Sequence, residues 1–336
     1  MRNALAVVAV LALGVVAPPE GQAQTSPYAG KTITIVVGYK PGGGYDATAR
    51  LLARHLPEYI SGKPTVIVQN MPGANSLIAA NHVYGVAKPD GLTIGTFNRN
   101  LPIAQLTGVA GVKFDMTKFA WIGSAASEAT ILAIRTDLPY NNFEDMKKSG
   151  KEIVIGATGP GANTYDFPLL IKELLGVKLK IVSGYSSSSD IMLAIERKEA
   201  DGRAGSYSSI LPFIDRKLVR PVIRARAVEQ GIEQLPVDEN LASTPRAKAI
   251  MALRSAPEVI GRPYVMPPGT PDALVKTLRE AFAKAIKDPK LMAEAKKAKM
   301  DLNFVPGDEA LKVIKEVLTQ PKDIVDEFSK YIKFGE

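Results

Sequence analysis

Cysteine is absent from the 336-residue chain. That excludes disulfides, thiolate metal sites, iron–sulfur clusters, a cysteine nucleophile and an N-terminal lipid on cysteine. Histidine is nearly absent: His55 and His82 are the two in the chain, too few for chemistry that needs several imidazoles. Long apolar runs are missing as well. The longest, residues 4–16, holds about 13 residues and is broken by Gly14, whereas a membrane-spanning helix needs about 20.

What is present is an ordinary globular composition, 46% apolar and 23% charged, which sets aside disorder and collagen-like repeats. At roughly 150 residues per domain, the length predicts two domains or one large one. The start of the chain is an address label. A positive Met1-Arg2, the apolar run and then Gly21-Gln22-Ala23 follow the three-part pattern of a secretory signal, cut after Ala23. The cut removes one basic and one acidic residue, Arg2 and Glu20, so the formal charge stays +8. The densest basic cluster (Lys284, Lys287, Lys290, Lys296, Lys297 and Lys299) falls on C-terminal helical sequence, where a solvated polar face explains it. In an exported protein such charge mildly favours anionic ligands, and nucleic acid is not an expected partner.

Strand and helix patterns alternate. Thr32-Ile33-Thr34-Ile35-Val36-Val37 is a β-branched run of the kind buried on both faces of a sheet. Helical spacing follows at Ala49, Leu52, Leu56 and Ile60. Further strands are predicted at 65–68 and 92–97, with a helix at 76–86 between them. The alternation restarts with strands at 153–155, 179–182 and 201–206 and helices at 163–175 and 191–198. Thr270-Pro271-Asp272 and Asp288-Pro289 open late helices with a cap and a proline, and two more helices are expected at 311–318 and 324–332. Strands separated by helices imply a mainly parallel sheet in each of two α/β lobes.

The recurring unit is strand, glycine-rich loop, helix. It occurs at Gly38-Tyr39-Lys40-Pro41-Gly42-Gly43-Gly44-Tyr45-Asp46 and at Gly156-Ala157-Thr158-Gly159-Pro160-Gly161-Ala162-Asn163-Thr164. Such loops let backbone approach a ligand and leave free N–H groups at a positive helix start. Two of them facing across a cleft would hold an anion. Neither is a dinucleotide fingerprint or a P-loop, and no cofactor or metal is expected. Asp46 has two readings, a helix cap or a brace that holds the glycine loop. Asn163 and Thr164 are candidate caps, ligand contacts or both. Arg203 is a carboxylate counter-ion or a surface residue. Ser206, Tyr207, Ser208 and Ser209 offer hydroxyls at another strand end, and Ser186 to Ser189 reads as a loop and cap. No G-x-S-x-G elbow or H-E-x-x-H motif is present, so the chain does not read as an enzyme.

The blocks in their order resemble the Bug family, the periplasmic receptors of tripartite tricarboxylate transporters. Tyr39 to Asp46 with Ala49-Arg50-Leu51-Leu52 is similar to its opening. Gln69-Asn70-Met71-Pro72-Gly73-Ala74-Asn75 and Lys88-Pro89-Asp90-Gly91-Leu92-Thr93 resemble its next two blocks. Thr158 to Thr164 resembles its second-lobe ligand loop, and Pro267-Pro268-Gly269-Thr270-Pro271 its late turn. The resemblance implies a two-lobed periplasmic binding fold that closes on a small carboxylate. It also implies delivery to a permease of one large and one small subunit.

Ligand contacts are expected from Tyr39, Gly43, Gly44, Asp46 and Asn75, from Thr158, Gly161, Ala162, Asn163 and Thr164, and from Arg203 and Ser206. Two stretches depart from the family pattern. Ser183-Gly184-Tyr185-Ser186 stands where Pro-Tyr-Lys-Gly is common, and Asp201-Gly202-Arg203-Ala204-Gly205-Ser206 replaces a more apolar strand. Lobe one is expected to comprise residues 24–124 and 256–336, including the C-terminal helices, and lobe two residues 125–255. A monomeric solute receptor is the leading expectation; a sensor partner for a signalling protein and a periplasmic enzyme on a small acid are the rivals.

Overall fold

The computed structural model describes residues 26–332; the expected signal at 1–23 lies outside them. The described residues form eleven strands and twelve α-helices in chain order. They begin β1 (Thr32–Val37), α1 (Gly44–His55), β2 (Thr65–Asn70), α2 (Leu77–Gly85), β3 (Thr93–Thr96), α3 (Leu101–Leu106) and β4 (Ala120–Ser124). The middle of the chain supplies β5 (Thr130–Arg135), α4 (Phe143–Lys148), β6 (Ile153–Gly156), α5 (Asn163–Leu175), β7 (Leu179–Val182), α6 (Ser188–Glu196), β8 (Gly202–Ser206), α7 (Tyr207–Asp215) and β9 (Val219–Arg224). The rest are α8 (Pro245–Ser255), β10 (Pro263–Met266), α9 (Asp272–Ile286), α10 (Pro289–Lys297), β11 (Val305–Pro306), α11 (Gly307–Leu318) and α12 (Lys322–Tyr331).

The strands form two sheets, ordered β11-β4-β10-β3-β1-β2 and β7-β6-β8-β5-β9. Parallel pairing joins β1 to β2 and β3, and β6 to β7 and β8, as βαβ units demand. Both sheets are nevertheless mixed. β10 runs antiparallel to β3 and β4, β11 to β4, and β5 to β8 and β9. β5 and β10 are the strands entered after the chain passes from one sheet to the other, so no helical crossover sets their direction. The fold class is α/β and two-lobed as expected, with mixed rather than mainly parallel sheets.

Each sheet has its own apolar packing. Ile33, Ile35 and Ile94 of the first sheet bury against Leu52 of α1 and Phe282 of α9. Leu132, Ile155 and Ala204 of the second bury against Phe167 and Leu170 of α5. Gly176 ends α5 in the left-handed conformation (φ 71°), the C-terminal stop that glycine provides without steric penalty. Helices α9 and α11 pack on β4 of the first sheet, and α10 on α1. The last helix departs from the expectation for the C-terminal segment. Phe328 and Ile332 share a buried cluster with Phe167 of α5 and with Ile250 and Met251 of α8. Its apolar face finds its cover there because α8 lies against α5 and α12.

Candidate functional site

The carboxyl ends of β1, β3, β6 and β8 open onto one cavity between the sheets, the place where open α/β sheets hold ligands. Tyr39, Gly43 and Gly44 line it from the first loop. Thr158, Ala162, Asn163 and Thr164 line it from the second, and Arg203 and Ser206 from β8. The two glycine loops therefore meet. Helices α1, α5 and α7 start at the cavity without a side-chain cap on Gly43, Ala162 or Ser206. The first N–H groups of α1 and α5 and the positive dipole ends of all three are left available to an anion, while the Tyr207 N–H of α7 donates to the Ala129 carbonyl at 2.8 Å.

The other three expected contacts sit behind the cavity wall. Asp46 is buried, and its Oδ2 accepts from the Gly42 N–H at 3.0 Å and Arg50 Nε at 2.9 Å; Oδ1 accepts from Asn70 Nδ2 at 2.9 Å. It braces the first loop and does not face the cavity. Burial pushes its carboxyl up, but the bonds from Arg50, Gly42 and Asn70 outweigh burial and hold it below the usual value. Gly161 is turned away as well. Its N–H donates to Asp166 Oδ1 at 2.8 Å, and its carbonyl accepts from Asn98 Nδ2 at 2.7 Å. Asn75 lines a neighbouring pocket with Tyr39 and Thr158, and its amide donates to the Pro160 carbonyl of the opposite loop.

Asp166 repeats for the second loop what Asp46 does for the first. Here burial dominates; the Gly161 N–H and the charge of Arg254 offset it only in part, and the carboxyl is pushed up to about 8. Thr164 and Thr158 hold each other: the Thr164 hydroxyl accepts from the Thr158 N–H at 3.0 Å and lies 2.8 Å from its hydroxyl. Asn163 faces Arg99; with its carbonyl turned that way it accepts from Arg99 Nε at 3.0 Å and from the Thr130 hydroxyl at 2.8 Å.

Several lining residues escaped sequence reasoning. Asn98 and Arg99 come from the turn after β3. Glu128 sits in the short passage from β4 to β5, and Arg262 ends the return passage before β10. Glu128 is 3% exposed on its side chain and pairs with Arg99 Nη1 at 2.6 Å and Arg262 Nη2 at 2.5 Å. Arg262 also lies over the Tyr45 ring, 4.7 Å from its centroid, a cation–π contact. A side chain on Gly44 would overlap the Arg262 guanidinium, so glycine is required for that approach. The legible signal was isolation: Glu128 is the lone charge in the stretch 121–130, and a lone charge in apolar sequence is buried only with partners.

Arg203 is the other correction to a sequence reading. It is 2% exposed and no surface residue. Nη2 donates to Ser209 Oγ at 2.9 Å, and Nε has no hydrogen-bond partner. Burial, then the charge of Arg262, lowers its pKa to about 10. His55, the last residue of α1, is half-buried against α10, 3.0 Å from Glu294. No group of His, Asp and Glu able to hold a metal occurs among the described residues.

Two α/β sheets with uncapped helix starts converging on a basic cleft define a two-lobed solute-binding protein. The profile of the tripartite tricarboxylate transporter family receptors matches residues 48–329, and the chain belongs to that family. It is 26% identical over 334 residues to the UPF0065 protein of the gbd 5′ region of Cupriavidus necator, covering 95% of this chain and 93% of that one. Among solved structures the periplasmic binding protein BugD superposes with a TM-score of 0.74 at 21% identity, over 91% of this chain and all of that one. MatC of Rhodopseudomonas palustris, solved with malate, gives 0.70 at 19% identity over 88% and 99%. Another protein of that organism, solved with adipate, gives 0.71 at 18% over 90% and 98%.

Proposed function

We propose that this chain is an exported receptor that captures a small organic carboxylate in the periplasm and hands it to a transporter of the tripartite tricarboxylate type. It acts as a monomer and performs no catalysis. The observation that carries the reading is the charge of the cavity. Arg99, Arg203 and Arg262 face it with Glu128 as the one lining carboxylate, beside three uncapped helix starts.

The proposed contacts are Tyr39, Gly43 and Gly44 from one loop, Thr158, Ala162, Asn163 and Thr164 from the other, and Arg203 and Ser206 from β8. Asp46, Asn75 and Gly161 act behind them as braces. We place the lobe boundaries at the passages near 125 and 256, with α12 as the segment that returns to lobe two. Dipoles contribute only about 0.3–1 kcal/mol each when exposed, so hydrogen bonds and guanidinium contacts supply most of the roughly 8 kcal/mol that micromolar binding requires.

Isothermal titration of residues 24–336 against carboxylates, sugars and amines tests the reading. Micromolar heat with at least one carboxylate is expected. Binding of sugars or amines with silence from every acid would overturn it.

A further inference from the structure

Beside the cavity lies a second chamber, and Gly43, Glu128, Arg203 and Arg262 line both. The ends of this continuous space differ in chemistry. The inner end is cationic: Arg99 and Arg262 share the single carboxylate of Glu128, and Arg203 forms no ion pair with any described residue. The far end is apolar. Met192, Pro212 and Phe213 of α6 and α7 form one wall; Ala47 of α1, with Ala298 and Met300 just past α10, forms the other. Met192 and Phe213 belong to the apolar packing of the second sheet and Met300 to that of the first. The chamber is thus a gap in which the two apolar interiors approach each other without joining.

Its hydroxyls already have acceptors inside the protein. Thr48 donates to the Gly44 carbonyl at 2.9 Å, Ser189 to the Gly42 carbonyl at 2.7 Å and Ser209 to the Ser206 carbonyl at 2.8 Å. The one charge beyond the shared residues is Asp301, solvent-exposed beside Met300, and its sign opposes a second carboxylate. Lys299 of the same segment is paired with Asp215 at the end of α7. A ligand group that enters here therefore finds few free donors and mainly carbon to cover. Covering apolar surface is favourable in proportion to its area, and methionine side chains adapt to the shape of what they cover.

From this we infer that the ligand carries one carboxylate at the cationic end and an uncharged apolar chain or ring in the chamber, with Met192, Phe213 and Met300 setting the preference. The inference rests on the carboxylate reading above and narrows it to amphipathic monocarboxylates.

Butanoate, hexanoate and octanoate titrated against residues 24–336 test this, with octanedioate as the diacid of equal length. Affinity is expected to rise about three- to fourfold per methylene. Octanoate is expected to bind at least about tenfold tighter than octanedioate, whose far carboxylate would lose its water among carbon atoms. Ala47 is exposed on α1 and is no part of the contacts named for the carboxylate. Ala47→Trp is expected to fill the chamber and flatten the rise, with butanoate affinity within about threefold of the parent and thermal unfolding confirming the fold. Equal affinity along the series overturns the inference. So does octanedioate binding as tightly as octanoate, or a folded Ala47→Trp variant that keeps the rise. The first two comparisons need no variant. Silence from all four acids beside heat from another carboxylate overturns the inference alone, whereas silence from every carboxylate overturns the carboxylate reading as well.

Discussion

Single residues carry more of this site than their position in the sequence foretells. Asp46 had a cap or a brace as its readings, and the bond from the Gly42 N–H decides for the brace. Arg50 is nearly half exposed and its pair contributes little, so the weight lies on Gly42 and Asn70. Asp46→Ala is expected to cost about 1.5–3 kcal/mol in urea unfolding, the range for hydrogen bonds to a charged group. Affinity is expected to fall with it because the Gly42–Gly44 backbone loses its anchor. Unchanged affinity beside a stability loss of about 1 kcal/mol would return Asp46 to a simple cap. The residue identities at the two glycine loops were legible, since glycine next to a strand end has few other uses. Glu128 was legible only as an isolated charge and Arg262 not at all, because each lies in a passage whose partner is on another segment.

At the level of elements, periodicity located β1, β2, β3, β6, β7 and β8 and most of the long helices, α8 excepted. It passed over β4, β5, β9 and β10. Those strands take part in the two passages between sheets, and their pairing partners lie far away in sequence; β10 pairs with β4 across about 140 positions. The start of α5 offers a prediction at this scale. Asp166 keeps its proton in the folded state up to about 8, whereas the ordinary value is 3.8. The folded protein then binds the extra proton between those values. Its stabilising contribution is whole below 3.8 and is lost as pH climbs through about 8. Asp166→Asn keeps an acceptor for the Gly161 N–H and cannot ionise. Its urea midpoint is expected to match the parent near pH 4 and to exceed it at pH 8. A midpoint below the parent's at pH 8 would mean that the carboxylate is ionised and paired in the folded state.

For the whole molecule the decisive contacts are those that bridge the cleft. Ser189 donates to the Gly42 carbonyl at 2.7 Å, Lys40 to Ser186 Oγ at 3.0 Å, and Asn98 to the Gly161 carbonyl at 2.7 Å. Asn75 adds its amide bond to Pro160 from a left-handed backbone, φ 47°. Asn75→Gly suits that backbone and removes the bridge without altering the cavity wall. Ligand affinity is expected to fall about 3–10-fold through a smaller closed population, with thermal stability nearly unchanged. Small-angle scattering should show a wider ligand-free molecule, and identical scattering with identical affinity would show that Asn75 closes nothing. The sequence by itself determined the α/β class and the two strand–glycine–helix units, because backbone geometry and apolar spacing are local properties. Only the tertiary structure decided that three arginines surround one glutamate, that Arg203 lacks a counter-charge and that α12 lies on α8. Those facts depend on which distant segments meet, and burial acquires its electrostatic meaning only after they have met.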